Sequence, residues 1–383
     1  MNQRERWVAA MRFQPVDHVP DQEFGYWDEV FPLWHEQGLA RCITNDERAD
    51  AFFGFETKVW APGRADLIPQ FERKVIEEDD RCITIADSGG TTRVVYKDGS
   101  STIPRYLKFP VETRRDWEEF RKRLDPATPG RFPGDAEWER WEESVQGCTR
   151  PLGVYAASLF GKIRDWMGFE NVSYAIMDDP RLIQEIMDHL TSLALIYLQR
   201  PLARGIQFDL AAMWEDMCFN HGPMLQPRLF EEWMVPRLSR ITGLLAEHGC
   251  DVVFVDCDGN INELVPLWLD AGVNCMFPLE AQSGTDPVRL REKYGQRVLL
   301  MGGVDKTRLI AGKDEIKKEI ARLKPLVEDG GYIPHVDHRV PPDVTYENYL
   351  YYLKLKRETF GIPEPEPWED RKDGCEWAAW DGP

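Results

Sequence analysis

The chain has 383 residues, of which 43% are hydrophobic and 30% charged, and it contains 18 Phe, 14 Trp and 12 Tyr. This composition is sufficient for a sizeable hydrophobic core and excludes a disordered chain. The 47 basic and 66 acidic residues give a net charge of -19, which disfavours binding to nucleic acid or to an anionic membrane surface.

The N-terminal sequence MNQRERWVAAMRF lacks the apolar core of a signal peptide. No apolar run approaches the ~18 residues that cross a bilayer. The cysteines are scattered without a CxxC pair, so no disulfide framework is indicated. These features predict a soluble, cytoplasmic protein.

The first 150 residues are irregular. A helix is predicted from Arg4, and a β-hairpin is predicted around Gly89 and Gly90, between the segments RCITIAD and TTRVVYKDG. A charged helical stretch at 116–124 precedes a loop rich in Pro and Gly at 125–135. We interpret residues 1–150 as the start of a barrel that carries hairpin and cap insertions.

From Leu152 the chain alternates between short apolar runs and longer stretches of helical periodicity. The runs are LGVYAASLF, IQFDLAAMW, DVVFVDCDG, NCMFPLE, RVLLMGGVD and GYIPHVDH. The predicted helices begin near Asp179-Pro180, Pro227, Asn260, Asp286, Lys313 and Pro342. Such βα units predict an α/β fold, with a (β/α)8 TIM barrel favoured over a doubly wound sheet because no glycine-rich dinucleotide fingerprint occurs.

We therefore expect a single barrel domain over residues 1–360. The remaining segment, 361–383, combines prolines, acidic residues and three tryptophans. This composition favours an extended tail whose tryptophans dock on the barrel or on a partner subunit.

The active site of such a barrel lies at the carboxyl ends of its strands, so the residues that close each apolar run are the candidates. Five successive runs close with polar side chains. These segments are Trp214-Glu215-Asp216, Asp256-Cys257-Asp258, Pro278-Leu279-Glu280, Gly302-Gly303-Val304-Asp305 and His335-Val336-Asp337-His338.

Asp256 and Asp258 share one face of an extended chain, which favours a ligand role over simple turn capping. Glu280 is either a ligand or the salt-bridge partner of an arginine. His335 and His338 suit acid–base work or a metal site, although strand alternation opposes both facing one cavity.

Aromatic and glycine residues complete the candidate set. Tyr155 and Trp214 either stack on a flat ligand or pack in the wall. Gly302 and Gly303 either allow close approach of a ligand or form an ordinary turn before Asp305. Glu215 is a further candidate catalytic carboxylate, since it closes its run beside Trp214.

At these residues the chain resembles the uroporphyrinogen decarboxylase superfamily of barrel enzymes. The resemblance runs over roughly residues 4–360, through RERWVAAMRFQPVDHVP, GVYAASLFG, GIQFDLAAMWEDM, VDCDGN, MGGVDK and GGYIPHVDH. It implies the barrel fold and one of two activities. Members either decarboxylate porphyrinogens or move methyl groups between corrinoid proteins and acceptors, and they are often homodimers.

The chain departs from both branches. Porphyrinogen decarboxylases carry an arginine-rich N-terminal segment that holds substrate carboxylates, whereas the equivalent stretch here is DQEFGYWDEV. Only Arg64, Arg105 and Arg164 are scattered candidates for that task. The zinc methyltransferases of the superfamily have a His-x-Cys-Gly-Asn segment where this chain has Asp256-Cys257-Asp258-Gly259-Asn260.

Three functional hypotheses follow. The first is metal-assisted methyl transfer involving a corrinoid protein or cobalamin, with zinc, manganese or iron held by Asp256, Asp258, Glu280, His335 and His338. In this reading Asp258, His338, Tyr155 and Glu215 are catalytic, and Trp214, Gly302, Gly303 and Asp305 bind a small-molecule substrate. The second is a cofactor-free decarboxylase of a small acid or tetrapyrrole. The third is a non-catalytic tetrapyrrole binder.

Overall fold

The predicted α/β class and the alternation of strands and helices are confirmed. The structure is a computed structural model that describes residues 1–63, 67–97, 104–366 and 368. Arg64 therefore lies outside the described residues, as does residue 367 and the tail from 369 to 383. Within the described part, Trp368 lies against Phe52, with 5.5 Å between the ring centroids.

The strands alternate with helices from β6 onward. The strands are β1 (Val59–Trp60), β2 (Lys74–Glu78), β3 (Cys82–Ala86), β4 (Thr92–Tyr96), β5 (Arg105–Lys108), β6 (Leu152–Ala157), β7 (Leu210–Trp214), β8 (Cys218–Phe219), β9 (Gly222–Pro223), β10 (Val253–Asp256), β11 (Cys275–Phe277), β12 (Leu299–Met301) and β13 (Tyr332–Ile333).

The helices include short ones on the loops and long ones that cover the sheet. They are α1 (Gln3–Met11), α2 (Val30–Glu36), α3 (Asp46–Phe53), α4 (Arg114–Phe120), α5 (Asp135–Ser144), α6 (Phe160–Met167), α7 (Phe169–Asp178), α8 (Pro180–Ala203), α9 (Pro227–Leu229), α10 (Val235–Glu247), α11 (Val265–Asp270), α12 (Pro287–Tyr294), α13 (Lys306–Ala311), α14 (Lys313–Asp329) and α15 (Tyr346–Phe360).

Side-chain caps fix several helix starts where they were predicted. Asp179 caps α8 by accepting from the Leu182 amide, and Asp286 caps α12 in the same way. Two predicted starts are too early. The Asn260 side chain accepts from the Asn262 amide in a turn, which delays α11, and Thr345 rather than Pro342 begins α15.

Seven strands form one parallel sheet, in the order β1-β6-β7-β10-β11-β12-β13. The predicted eight-stranded barrel is therefore only partly realised among the described residues. A non-ladder segment at 21–27 bridges the two edges, because the Glu56 amide donates to the Asp21 carbonyl and the Val340 amide to the Gly25 carbonyl. Gly25 adopts a φ of 132°, which interrupts regular pairing there.

The core has two layers. Alternate side chains of the strands point to the inside of the curved sheet, where Leu210, Phe254 and Leu299 meet Trp7 and Met11 of α1. The opposite side chains pack under the helices in a larger cluster. Helix α1 thus covers the inside of the sheet at one end and leaves the carboxyl ends of the strands accessible.

A separate antiparallel sheet has the order β2-β3-β4-β5. The predicted hairpin is confirmed, since β3 pairs with β4 from Cys82 opposite Tyr96 to Ala86 opposite Thr92. Strands β2 and β5 were not predicted because they are exposed along their whole length and lack apolar alternation. Among the described helices, none is long and apolar enough to span a bilayer.

Candidate functional site

A cavity of about 590 Å³ lies at the carboxyl ends of the parallel strands, where the sequence predicted the site. The last residues of six strands line it: Trp60, Ala157, Trp214, Asp256, Phe277 and Met301. Seven aromatic side chains form part of its wall. The Trp60 ring stacks on Tyr155 with a centroid separation of 4.5 Å, and Phe277 meets Phe24 at 4.6 Å.

Asp256 is the titratable group that distinguishes this cavity. In the described part of the chain its carboxyl group has no hydrogen bond or ion pair. Burial, reinforced by the negative charges of Asp258 and Asp216, raises its pKa from 3.8 to about 8. The group is therefore protonated at neutral pH and can donate a proton into the cavity.

Asp258 and His338 form a pair beside Asp256. The Nε2 atom of His338 lies 3.1 Å from Oδ2 of Asp258, and the imidazole stacks on Trp27 with centroids 5.5 Å apart. Burial alone would lower the pKa of His338, but the hydrogen bond and charge of Asp258 outweigh it, so the pKa is raised. The second oxygen, Asp258 Oδ1, is buried without a hydrogen-bond partner among the described residues.

His335 lines the cavity but differs from His338 in its protonation. It is 2% exposed, and burial lowers its pKa to about 3, so the ring is neutral. Its Nδ1 atom lies 2.9 Å from the Val336 carbonyl oxygen. Both histidines are thus close to the site, and only His338 is poised to carry charge.

Glu280 belongs to an ion-pair network outside the cavity. Its carboxylate accepts from Lys306 Nζ at 3.1 Å and from the Gly259 amide at 3.0 Å. Asp337, which is fully buried, accepts from the Ala281 amide and lies 3.7 Å from the same ammonium. The salt-bridge alternative for Glu280 is the one realised, with a lysine in place of the arginine.

The five predicted metal ligands do not form one site. Across residues 1–63, 67–97, 104–366 and 368, no three His, Cys, Asp or Glu side chains are grouped to hold a metal ion. Lys306 holds Glu280, Asp258 holds His338, and Asp256 has no partner in the part of the chain that the structure describes. His335 contacts the Val336 carbonyl instead. The residues present therefore do not fit a shared zinc, manganese or iron ion, and the predicted ligand set is corrected to four separate groups.

Glu215 lies behind its strand rather than in the cavity. It directly follows the cavity-facing Trp214, so strand alternation turns it to the helix side. Its carboxylate accepts from the Leu159 amide at 2.8 Å and the Gly161 amide at 3.0 Å, at the start of α6. Glu215 thus anchors the start of α6 and lies outside the lining of the cavity, and its catalytic role stays a prediction.

The residues predicted to contact a substrate also divide into those that line the cavity and those that do not. Trp214 and Tyr155 line the cavity, whereas Asp305 caps α13 by accepting from the Thr307 amide. Gly302 has a φ of 103°, and an added Cβ would lie 2.0 Å from the Pro278 carbonyl oxygen. Gly302 and Gly303 therefore allow close packing of the backbone and lie outside the lining of this cavity.

Three titratable residues of the cavity were missed because they lie in the irregular N-terminal part. Burial lowers the pKa of Lys58 to about 8 and raises those of Asp50 and Glu56 to about 7. Lys58 donates to Gln22 Oε1 at 2.6 Å. The sequence signal that could have identified Lys58 is a single lysine beside apolar residues in FETKVWAPG.

The acidic stretch DQEFGYWDEV contributes Gln22, Glu23 and Phe24 to the cavity wall. Two of its acids pair with the last helix, since Lys356 Nζ lies 2.9 Å from both Asp21 and Glu23. These two ion pairs hold the stretch against α15. In the described wall of the cavity, lysines are the only cationic side chains, and no arginine is present.

The sequence model of the uroporphyrinogen decarboxylase (URO-D) family matches residues 94–358. The chain belongs to the uroporphyrinogen decarboxylase family. The matched region contains the carboxylate and histidine positions at the ends of β7, β10 and β13, together with Glu280. It excludes Lys58 and the acidic stretch, which precede residue 94.

Curated relatives of the family are similar at low identity. The uroporphyrinogen decarboxylase of Geobacter sulfurreducens is 26% identical over 214 residues, which span 54% of this chain and 57% of that protein. That of Pseudomonas fluorescens is 23% identical over 386 residues, 92% of this chain and 96% of the relative. A solved methyltransferase from Methanosarcina mazei has a TM-score of 0.57 at 17% identity, covering 94% of this chain and 99% of its own. This likeness establishes a shared fold.

Proposed function

We propose that this member of the URO-D family is a methyltransferase that takes a methyl group from a small donor. The acceptor is a corrinoid carried by a separate protein. The observation that carries the proposal is Asp256, a carboxyl group held protonated in an aromatic cavity that has no arginine in its described wall.

The charge of the cavity argues against a porphyrinogen substrate. A porphyrinogen with many carboxylates needs several cationic partners. Here Lys58 and Lys162 are the cationic side chains of the described wall. Burial lowers the pKa of Lys58 to about 8, which disfavours its charged form. A neutral or cationic donor suits this wall better, and a volume of about 590 Å³ is that of a small-molecule site.

The chain's own residues supply the acid step. As the bond between the methyl carbon and its heteroatom breaks, the electron pair stays on the heteroatom. The Asp256 proton then passes to that atom, which stabilises the leaving group. Asp258 lies outside the lining of the cavity, and its negative charge helps to raise the pKa of Asp256.

A bound corrinoid would supply the nucleophile that receives the methyl group. The cavity volume fits the donor and not a corrinoid as well, which accords with a corrinoid delivered on a partner protein. No step is assigned to a metal, because the predicted ligands do not fit one.

The test mixes the purified protein with chemically reduced cob(I)alamin and a panel of methoxy, methylthio and methylamine compounds. Formation of methylcobalamin, followed by visible absorbance, is expected with at least one donor. Asp256→Asn should lower the rate at least ~100-fold, as expected for loss of a general acid. The matched control is Asp251→Asn, an exposed carboxylate just before β10, which should retain the rate.

Lys58 favours a second candidate, decarboxylation of a small carboxylic acid. A buried ammonium in the cavity can bind one carboxylate, and protonated Asp256 can donate the proton that replaces CO2 on carbon. Release of CO2 from a carboxylic acid, lost in Lys58→Met, with no methylcobalamin from any donor, would establish this activity and overturn methyl transfer.

A further inference from the structure

A second cavity, of about 610 Å³, lies between the antiparallel sheet and helix α6. The sheet contributes Arg93 and Tyr106, and the barrel contributes Lys162, Arg164 and Phe219. Lys162 lines both cavities, so the two adjoin at this side chain. None of the proposed methyl-transfer chemistry uses the second cavity.

The charges of this cavity are unbalanced toward positive. Its described wall holds three cationic side chains and two acidic ones, Asp87 and Asp165. Arg164 donates to Asp165 and Asp216, so it is fully paired. Asp87 already accepts from the Gly89 and Thr91 amides. In a chain of net charge -19, a positive cavity is a local exception.

Two of the cationic groups lack the hydrogen bonds that they would make with an anion. The Nε atom of Arg93 is buried without a hydrogen-bond partner among the described residues, and its ion pair with Asp87 is loose at 3.6 Å. The Lys162 ammonium makes no ion pair within the described chain. Its Nζ atom lies 5.8 Å from the centroid of the Trp214 ring. Buried polar groups are normally hydrogen-bonded, so the Arg93 Nε atom, together with the Lys162 ammonium, is available to an anion in this cavity.

The remaining wall is aromatic on two sides. Tyr106 stacks on Phe109 with centroids 5.4 Å apart, and Phe169 meets Phe219 edge to face at 5.1 Å. Phe219 is 49% exposed and Phe169 is 38% exposed. Large apolar side chains left exposed around a cavity are typical of a ligand site.

We propose that the second cavity binds a small amphipathic anion, namely a flat aromatic or other apolar body that bears one carboxylate or sulfonate. The anion would contact Lys162 and Arg93, and the apolar body would lie between the two aromatic pairs. The proposal stands independently of the reaction in the main cavity.

The test compares two fluorescent probes of the same shape on the full chain. These are 1-anilinonaphthalene-8-sulfonate, an anion, and N-phenyl-1-naphthylamine, which lacks the charge. The anionic probe should bind at least ~10-fold more tightly than the neutral one. Lys162→Met and Arg93→Met should each remove most of that preference, whereas Lys162→Arg should keep it.

Two controls locate the probe. Lys74→Met changes an exposed, ion-paired lysine on the same sheet and should leave the affinity unchanged, as should Asp50→Asn, which lines only the main cavity. Phe219→Ala should weaken both probes. Equal affinity for the two probes, or an anion preference that survives both Met variants, would overturn the proposal.

Discussion

The two cavities of this protein share one side chain, Lys162, yet they are built with opposite chemistry. The main cavity closes the ends of buried parallel strands and holds Asp256, an acid without a partner among the described residues. The second cavity lies under an exposed antiparallel sheet and holds cationic groups without hydrogen-bond partners.

The contrast shows that the net charge of a chain does not predict the charge of its individual binding sites. A value of -19 argues against anionic ligands in general, but it does not set the charge of a single cavity. Helix α6 separates the two environments, since it carries Lys162 and Arg164, and its first turn is held by Glu215. Variants that change one cavity and leave the other unchanged therefore test whether the two cavities are independent.

The largest effect is expected for Lys306→Met, which acts on the side of the main cavity. Lys306 neutralises Glu280 and the fully buried Asp337. Removing one partner of a buried pair costs about 3–5 kcal/mol, so the free energy of unfolding should fall by that amount in urea denaturation. Lys318→Met, at an exposed lysine paired with Glu315, should change it by less than ~0.5 kcal/mol.

The second cavity should not respond to this change. Lys306 does not line it, so the folded variant is expected to bind the anionic probe as the wild-type protein does. A loss of unfolding free energy below ~1 kcal/mol would show that Glu280 and Asp337 do not depend on Lys306.

A smaller, pH-dependent effect is expected at Asp256. Because its pKa is about 8 when folded and 3.8 as the ordinary value, the folded state keeps a proton that the unfolded state loses between these values. Stability supplied by this group is therefore present at low pH and is lost as pH rises toward 8. Asp256→Asn does not titrate, so its stability relative to wild type should rise from pH 5 to pH 8.

The full shift would correspond to about 1.4 kcal/mol per pH unit. The carboxyl group is only partly buried by surface area, so about 2 kcal/mol over the three units is expected. Asp50 and Glu56 also titrate in this range, but they are present in both proteins and cancel. A difference that stays constant with pH would show that Asp256 is ionised, which would remove the acid from the main cavity.

The sequence predicted those parts of the fold and of the site in which apolar residues recur at a regular spacing. Buried parallel strands read as apolar runs, so the strand ends at Trp214 and Asp256 were located correctly, and His335 lies two residues after the end of β13. Which of two neighbouring residues faces the cavity depends on a shift of one residue, and this is why the sequence did not show that Trp214 lines the cavity and Glu215 does not.

The other half of the main cavity was not predictable by the same means. Lys58 and Asp50 belong to short, irregular elements, and their proximity to Asp256 comes from contacts distant in sequence. The second cavity was missed because β5 is fully exposed and gives no apolar alternation. Of the scattered arginines, Arg105 lies on that exposed strand and Arg164 is held by acids.

The smallest effect is expected for Glu215→Gln, which separates an anchoring role from a catalytic one. An amide side chain keeps one acceptor oxygen but presents NH2 where the carboxylate accepted from the α6 amides. Loss of such bonds costs about 1–2 kcal/mol. Because α6 carries Lys162, affinity for the anionic probe should fall modestly with stability, whereas the rate per folded molecule in the main cavity should change less than ~3-fold. A loss of rate as large as that of Asp256→Asn, without loss of stability, would restore Glu215 to the catalytic set.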